Sequence, residues 1–149
     1  MTDYLQFTID KFTFQVATDR FYSKEGVWAK MEDGRIRTGL SDFLQQVNGD
    51  VAFAELPAVG SSLSFDDELA TIETIKVDIS IASPASGQVI ETNLEMELEP
   101  DVINSDPYRA GWLAIIEPDD WPADQAKLLN PQDFFEQMKR EAENEVNQS

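Results

Sequence analysis

Three observations predict a mainly β domain, an antiparallel sandwich or partly closed barrel. Short runs alternate apolar and polar side chains, the period-two pattern of half-buried strands. Gly, Pro, Asn and Asp interrupt those runs at short intervals. Helical spacing is confined to one brief stretch after Ser41 and to the C-terminal tail. The 149 residues suit one domain, and a 42% hydrophobic content suffices for a real core.

In chain order, residues 11–16 (Lys-Phe-Thr-Phe-Gln-Val) alternate and read as an extra strand or extended arm within an N-terminal extension of residues 1–21. Residues 27–31 and 35–40 flank Glu32-Asp33-Gly34, and Asp-Gly between alternating runs is a hairpin signal. Ser41 is placed to cap a short helix carrying Phe43, Leu44 and Val47, which Asn48-Gly49 ends. Residues 51–56 form a strand stopped by Pro57 and Gly60. After residue 82, residues 87–93 read as a strand, 100–107 as a loop or short helical turn, and 111–116 as a last buried strand. Pro118 and Pro122 break that pattern. From Pro131 onward Phe134, Phe135 and Met138 lie on one face of an amphipathic helix expected to fray toward Ser149.

The stretch Glu73-Thr74-Ile75-Lys76-Val77-Asp78 organises the middle of the chain. Alternating runs lie on both sides of Lys76, so the lysine sits either at a hairpin tip or within one long strand; no Asn-Gly or Asp-Gly marks a turn. At a tip its amine is solvated and its stem free to swing, which suits the attachment point of a cofactor. A solvated surface charge is the plainer alternative.

Composition removes several chemistries. Without cysteine or histidine, disulfides, thiol nucleophiles, zinc sites and the usual neutral-pH proton shuttle are excluded. Redox or acyl-transfer work must be borrowed from a cofactor, and a dithiol carrier gains from having no thiols with which to form mixed disulfides. The net charge of −18 disfavours nucleic acid and anionic membranes and favours basic partner surfaces, although general solubility or salt adaptation accounts for it equally. No run is long enough to span a membrane and the first twenty residues lack signal or transit character, so a cytoplasmic, monomeric protein is expected. Asp66-Asp67 and Asp119-Asp120 are adjacent acids whose side chains diverge, so they read as solvated surface; no catalytic residue and no metal ligand is assigned. Trp28, Trp112 and Phe53 are expected in the core.

Residues 22–116 resemble the H protein of the glycine cleavage system, a lipoate-carrying shuttle. The resemblance rests on Gly39-Leu40-Ser41-Asp42-Phe43, Gly49-Asp50, Phe53, Glu55-Leu56-Pro57 with Val59-Gly60, Glu73-Thr74-Ile75-Lys76, Ser83-Pro84 with Ser86-Gly87, Asn104 with Asp106-Pro107-Tyr108, and Gly111-Trp112-Leu113. It implies a lipoyl-domain-like barrel-sandwich hybrid of two antiparallel sheets with short helices and a C-terminal helix. Residues 22–118 would form the carrier domain and 119–149 a helical tail packed on it. The resemblance places Lys76 at a hairpin tip with lipoate held there as an amide, and gives Glu73 a role in ligase recognition. Ile75 and Val77, where biotinyl domains have methionines, favour lipoyl.

Where the family has His-Glu-Trp, this chain has Gly26-Val27-Trp28. The missing glutamate is the one that helps shelter the aminomethyl amine of a loaded arm. The runs Gly39 to Gln46 and Gly49 to Ala54 resemble the divergent lipoate-binding proteins of sulfur-oxidising bacteria, relatives associated with a heterodisulfide-reductase-like complex. The expected partners are lipoate ligase or lipoyl-assembly enzymes, dihydrolipoamide dehydrogenase, and either that complex or the glycine cleavage enzymes. An unlipoylated acidic interaction module and a carboxylate enzyme are the alternatives from other classes.

Overall fold

The structure, a computed structural model, describes residues 2–148. Eleven strands and five helices follow in the order β1 (Tyr4–Ile9), β2 (Phe12–Ala17), β3 (Phe21–Tyr22), β4 (Val27–Glu32), β5 (Arg35–Leu40), α1 (Asp42–Asn48), β6 (Val51–Glu55), β7 (Ser62–Leu63), β8 (Glu68–Thr74), β9 (Asp78–Ala82), β10 (Gly87–Thr92), α2 (Glu95–Leu98), α3 (Val102–Ser105), β11 (Ala114–Pro118), α4 (Trp121–Gln125) and α5 (Pro131–Gln148). They build a six-stranded sheet in the order β3-β4-β5-β11-β10-β7, a three-stranded sheet β6-β8-β9 and a separate β1–β2 hairpin. Every pairing is antiparallel.

Strand β4 shows how the layers arise. Val27 and Ala29 face the core between the two larger sheets, with Ile36, Leu40, Leu69, Ile72, Ile81, Val89 and Ile116. Trp28, pointing the other way, enters a second cluster with Phe14, Val16, Tyr22, Phe43, Tyr108, Phe134 and Met138. Both faces of β4 are therefore covered, the second by the N-terminal hairpin and α5. Trp28 pairs in register with Gly39, and a Cβ on Gly39 would lie 2.5 Å from the indole, so only glycine lets the ring lie flat there.

The elements follow local chemistry. Asp33 (φ 52°) and Gly34 (φ 80°) make the β4–β5 turn with two successive left-handed residues, as a two-residue hairpin requires. Ser41 accepts from the Leu44 N–H to cap α1, and Gly49 at φ 88° ends it. Asp120 caps α4 through the Ala123 N–H, with Pro122 in the first turn where a missing donor is harmless.

Several expectations are corrected. The extra strand expected over residues 11–16 is present as β2, but it pairs with a strand that was not expected, Tyr4–Ile9, in a hairpin with Asp10 (φ 54°) at its turn. The last strand begins at Ala114, not residue 111, because Gly111 is held in a turn by its N–H to the Asp106 carbonyl. α2 and α4 were not anticipated. Phe53 is 68% exposed, not core: β6 shifts register between Val51 and Phe53, which turns the ring outward. Ser149 lies outside the described residues. Among those described, no helix is long and apolar enough to cross a membrane.

Candidate functional site: the lysine at the β8–β9 turn

Lys76 stands at the tip of the β8–β9 hairpin and is exposed, so of the two sequence readings the hairpin holds. The turn dispenses with Asn-Gly because Thr74 supplies its own cap. The Thr74 Oγ1 accepts from the N–H of Lys76 (3.2 Å) and of Val77 (3.0 Å) and donates to the Val77 carbonyl (2.9 Å). The Thr74 N–H closes the same turn onto the Val77 carbonyl at 2.9 Å. A further clamp comes from Asp50, just before β6, whose carbonyl accepts from the Ile75 N–H at 3.0 Å.

The neighbouring segment that leads from α1 into β6 is fixed by Asn104. Its Oδ1 accepts from the Val51 N–H at 2.8 Å, and its Nδ2 donates to the Gly49 carbonyl and to Gln45 Oε1, both at 3.0 Å. One side chain from α3 thus ties the end of α1 to the start of β6. Ile75 and Val77 project beside the lysine at 75% and 43% exposure.

Glu73 is exposed on β8, opposite Phe53 on β6 and Asp78 on β9. These three side chains form a row across the small sheet, beside a shallow groove that also includes Glu55 and Thr71. The row was not anticipated; it depends on the β6 bulge, which leaves no sequence signature of its own.

Among the described residues the lysine amine makes one hydrogen bond, donating to the Val47 carbonyl at 3.3 Å. Its stem runs over Gly49, where a Cβ would touch Lys76 Cε at 3.4 Å. From Thr38 to Tyr108 Lys76 is the only cation in a span holding fourteen acids. Acylation would remove that charge and leave this stretch with acidic side chains as its only charges.

Of the paired acids, Asp67 accepts from the Ser64 N–H and Asp120 caps α4, which gives both a local structural role. Trp28 is fully buried, and Trp112 lies under the Arg37 guanidinium at 4.7 Å. No group of acids able to hold a metal ion occurs among the described residues.

Val27, the position that the sequence resemblance sets against a glutamate, is 1% exposed in the inter-sheet core. The preceding Gly26 has φ 98°, and a Cβ there would lie 2.8 Å from Ser41 Oγ and 3.5 Å from the Phe134 ring. A polar side chain at position 27 would be buried between the sheets, and any side chain at position 26 would meet Ser41 and Phe134.

The sequence model of the glycine cleavage H-protein family matches residues 20–141. Glycine cleavage system H protein 4 of Aquifex aeolicus is 37% identical over 132 residues, 89% of this chain and 77% of that protein. The glycine cleavage system H protein of Oceanobacillus iheyensis is 42% identical over 102 residues, covering 68% of this chain and 81% of its own. Among solved structures, a glycine cleavage system H protein from Mycobacterium marinum superposes with a TM-score of 0.74 at 30% identity, over 80% of this chain and 96% of that one. The β1–β2 hairpin precedes the matched region.

Proposed function

Because the chain belongs to the glycine cleavage H-protein family, whose members carry lipoate covalently on a lysine, we propose that Lys76 is the lipoylated residue and that the arm serves sulfur-group transfer with a heterodisulfide-reductase-like complex. The dithiolane supplies the redox and group-transfer chemistry. The chain's own residues hold, orient and expose it. Thr74 fixes the turn, Glu73 marks the tip for a lipoate ligase, and the acidic surface steers basic partners in a cytoplasmic setting.

The site fits the group. The amine is exposed with a single carbonyl contact, and an amide nitrogen keeps the N–H that this contact needs. No side chain at the tip is asked to do catalysis.

The burial of Val27 carries the choice of pathway. A carrier of a cationic one-carbon amine gains from a carboxylate at that place, worth about 1.5–3 kcal/mol as a charge-assisted hydrogen bond. Here that place is apolar core. The resemblance of residues 39–54 to the sulfur-oxidiser subgroup points the same way. A second reading, service to the glycine cleavage enzymes, is favoured by Asp10 and Glu145, which line a cleft that also includes Lys76.

Glycine-dependent loading separates the two. The lipoylated protein is incubated with glycine decarboxylase and aminomethyltransferase beside an H protein that retains the His-Glu pair. Loading at least about tenfold slower is expected from the lost carboxylate; equal loading would return the chain to glycine cleavage. Val27→Glu is unsuited as a rescue, since it would place a carboxylate between the sheets.

A further inference from the structure

The acidic surface has a spot of inverted sign. Residues 38–108 hold fourteen acids and one lysine, whereas five cations stand against four acids between residues 19 and 37. Four of the chain's eleven cations, Arg20, Lys30, Arg37 and Arg109, line one open recess of about 500 Å³, which holds only two acids, Asp19 and Glu32. Lys30 and Arg37 are direct cross-strand partners on β4 and β5, a like-charge pairing that works against a sheet.

Both acids are already spent inside the recess. Glu32 takes Arg37 Nε at 2.8 Å and the Lys30 amine at 3.1 Å, while Asp19 takes Arg20 Nε at 2.8 Å, the Thr2 hydroxyl at 2.9 Å and the Lys30 amine at 3.4 Å. Each carboxylate oxygen therefore has a donor, and donors remain in surplus. Among the described residues Arg37 hydrogen-bonds through Nε alone, and the exposed Arg109 side chain pairs with no acid. The cations are also held in place: Arg20, 3% exposed, donates to the Tyr108 carbonyl at 2.8 Å and lies over the Trp28 ring at 4.5 Å, and Arg37 lies over Trp112 at 4.7 Å. Much of the ordering that a ligand would have to impose is already present.

We propose that this recess docks a partner protein, receiving two neighbouring carboxylates from a partner surface that is otherwise basic. The Lys30 and Arg37 side chains keep 27% and 31% of their exposure, so a small ion bound there stays wet, whereas a protein face covers the recess and strengthens every ion pair in it. Arginine, tryptophan and tyrosine are the side chains that anchor such interfaces. A long polyanion is repelled by the rest of a chain of net charge −18. Attraction between the acidic chain and a basic partner brings the two together in many orientations, and the inverted spot favours the one in which the partner's carboxylates meet Arg37 and Arg109. This docking is independent of any group on Lys76.

The test titrates the full isotope-labelled chain with a peptide bearing two adjacent glutamates flanked by lysines, and with its glutamine counterpart. The glutamate peptide should shift the amide resonances of Lys30, Arg37 and Arg109 and the Trp112 indole saturably, and the glutamine peptide should leave them in place. Arg109→Gln, an exposed change that spares the fold, should weaken the glutamate peptide by about fivefold, as loss of a partly solvated ion pair predicts. Equal shifts from both peptides, no shift in the recess, or unchanged affinity in Arg109→Gln would overturn the proposal. Inorganic phosphate binding there as tightly as the glutamate peptide would make it a small-anion site instead, and a short oligouridylate doing so would make it a nucleic-acid contact; either result overturns protein docking.

Discussion

The rings of Tyr22 and Phe134 lie face to face, with centroids 4.5 Å apart and planes 5° from parallel. This contact joins β3 to α5 at the centre of the second cluster, and the Tyr22 hydroxyl, donating to the Ala17 carbonyl at 2.7 Å, carries it on to β2. Burial drives the Tyr22 phenol far above its ordinary ionisation range, so this hydroxyl stays a donor at any working pH.

Phe134→Ala should therefore destabilise the protein by about 3–5 kcal/mol, the usual range for deleting a fully buried aromatic ring. Denaturant unfolding measures it. A loss below about 1 kcal/mol would mean that the helix and hairpin are only loosely docked.

The lysine turn depends on one hydroxyl. Thr74→Val keeps the shape and β-branching of the side chain but leaves the N–H groups of Lys76 and Val77 without their acceptor. It should cost about 1–2 kcal/mol and slow lipoylation by a ligase, whereas Thr74→Ser should restore both. Ligation kinetics at matched folded fraction separate the turn from global stability.

Lys76→Ala and Lys76→Arg should each abolish uptake of a lipoyl group by intact mass. Glu73→Ala should slow uptake while shifting stability by no more than ~0.5 kcal/mol, as expected for an exposed side chain. Unchanged ligation kinetics would remove the recognition role of Glu73.

Acid stability has an identifiable source. Partial burial raises the Asp19 pKa, but hydrogen bonds from Arg20 and Thr2 and the charges of Arg20 and Lys30 outweigh it, bringing it from 3.8 to about 2. A carboxylate with a lowered folded-state value stabilises the fold fully above its unfolded value, and that contribution is lost as pH falls from about 4 toward 2. Glu32, opposed by burial but held down by Arg37 and Lys30, adds in the same direction. Asp19→Asn should flatten this limb of the pH–stability curve, measured by urea midpoints across that range. An unaltered limb would place the acid sensitivity elsewhere.

Much of this architecture was legible. Asp33-Gly34 marked its hairpin, Ser41 its helix, and the alternation around Lys76 its two strands, because each signal acts within a few residues. What was hidden depends on longer range. The lysine turn looked undecided because the stabilising group is a threonine side chain and not a left-handed glycine. Phe53 looked like core because a bulge, which no local pattern announces, reverses its direction. One cleft is lined by both Phe12 and Glu145, residues near opposite ends of the chain, and no periodicity in either segment reports on the other.

The side-chain-capped turn at Thr74 has a mechanical consequence. With three hydrogen bonds to one hydroxyl and a backbone clamp from Asp50, the pivot of the lysine is a rigid mount and not a flexible tether. Motion is left to the side-chain torsions beyond Cα, so the tip of a modified lysine sweeps a cap of fixed centre and radius. A partner that docks against the tip then finds the reactive end inside a bounded volume, and encounter frequency is set by where the partner lands on this surface and not by drift of the backbone.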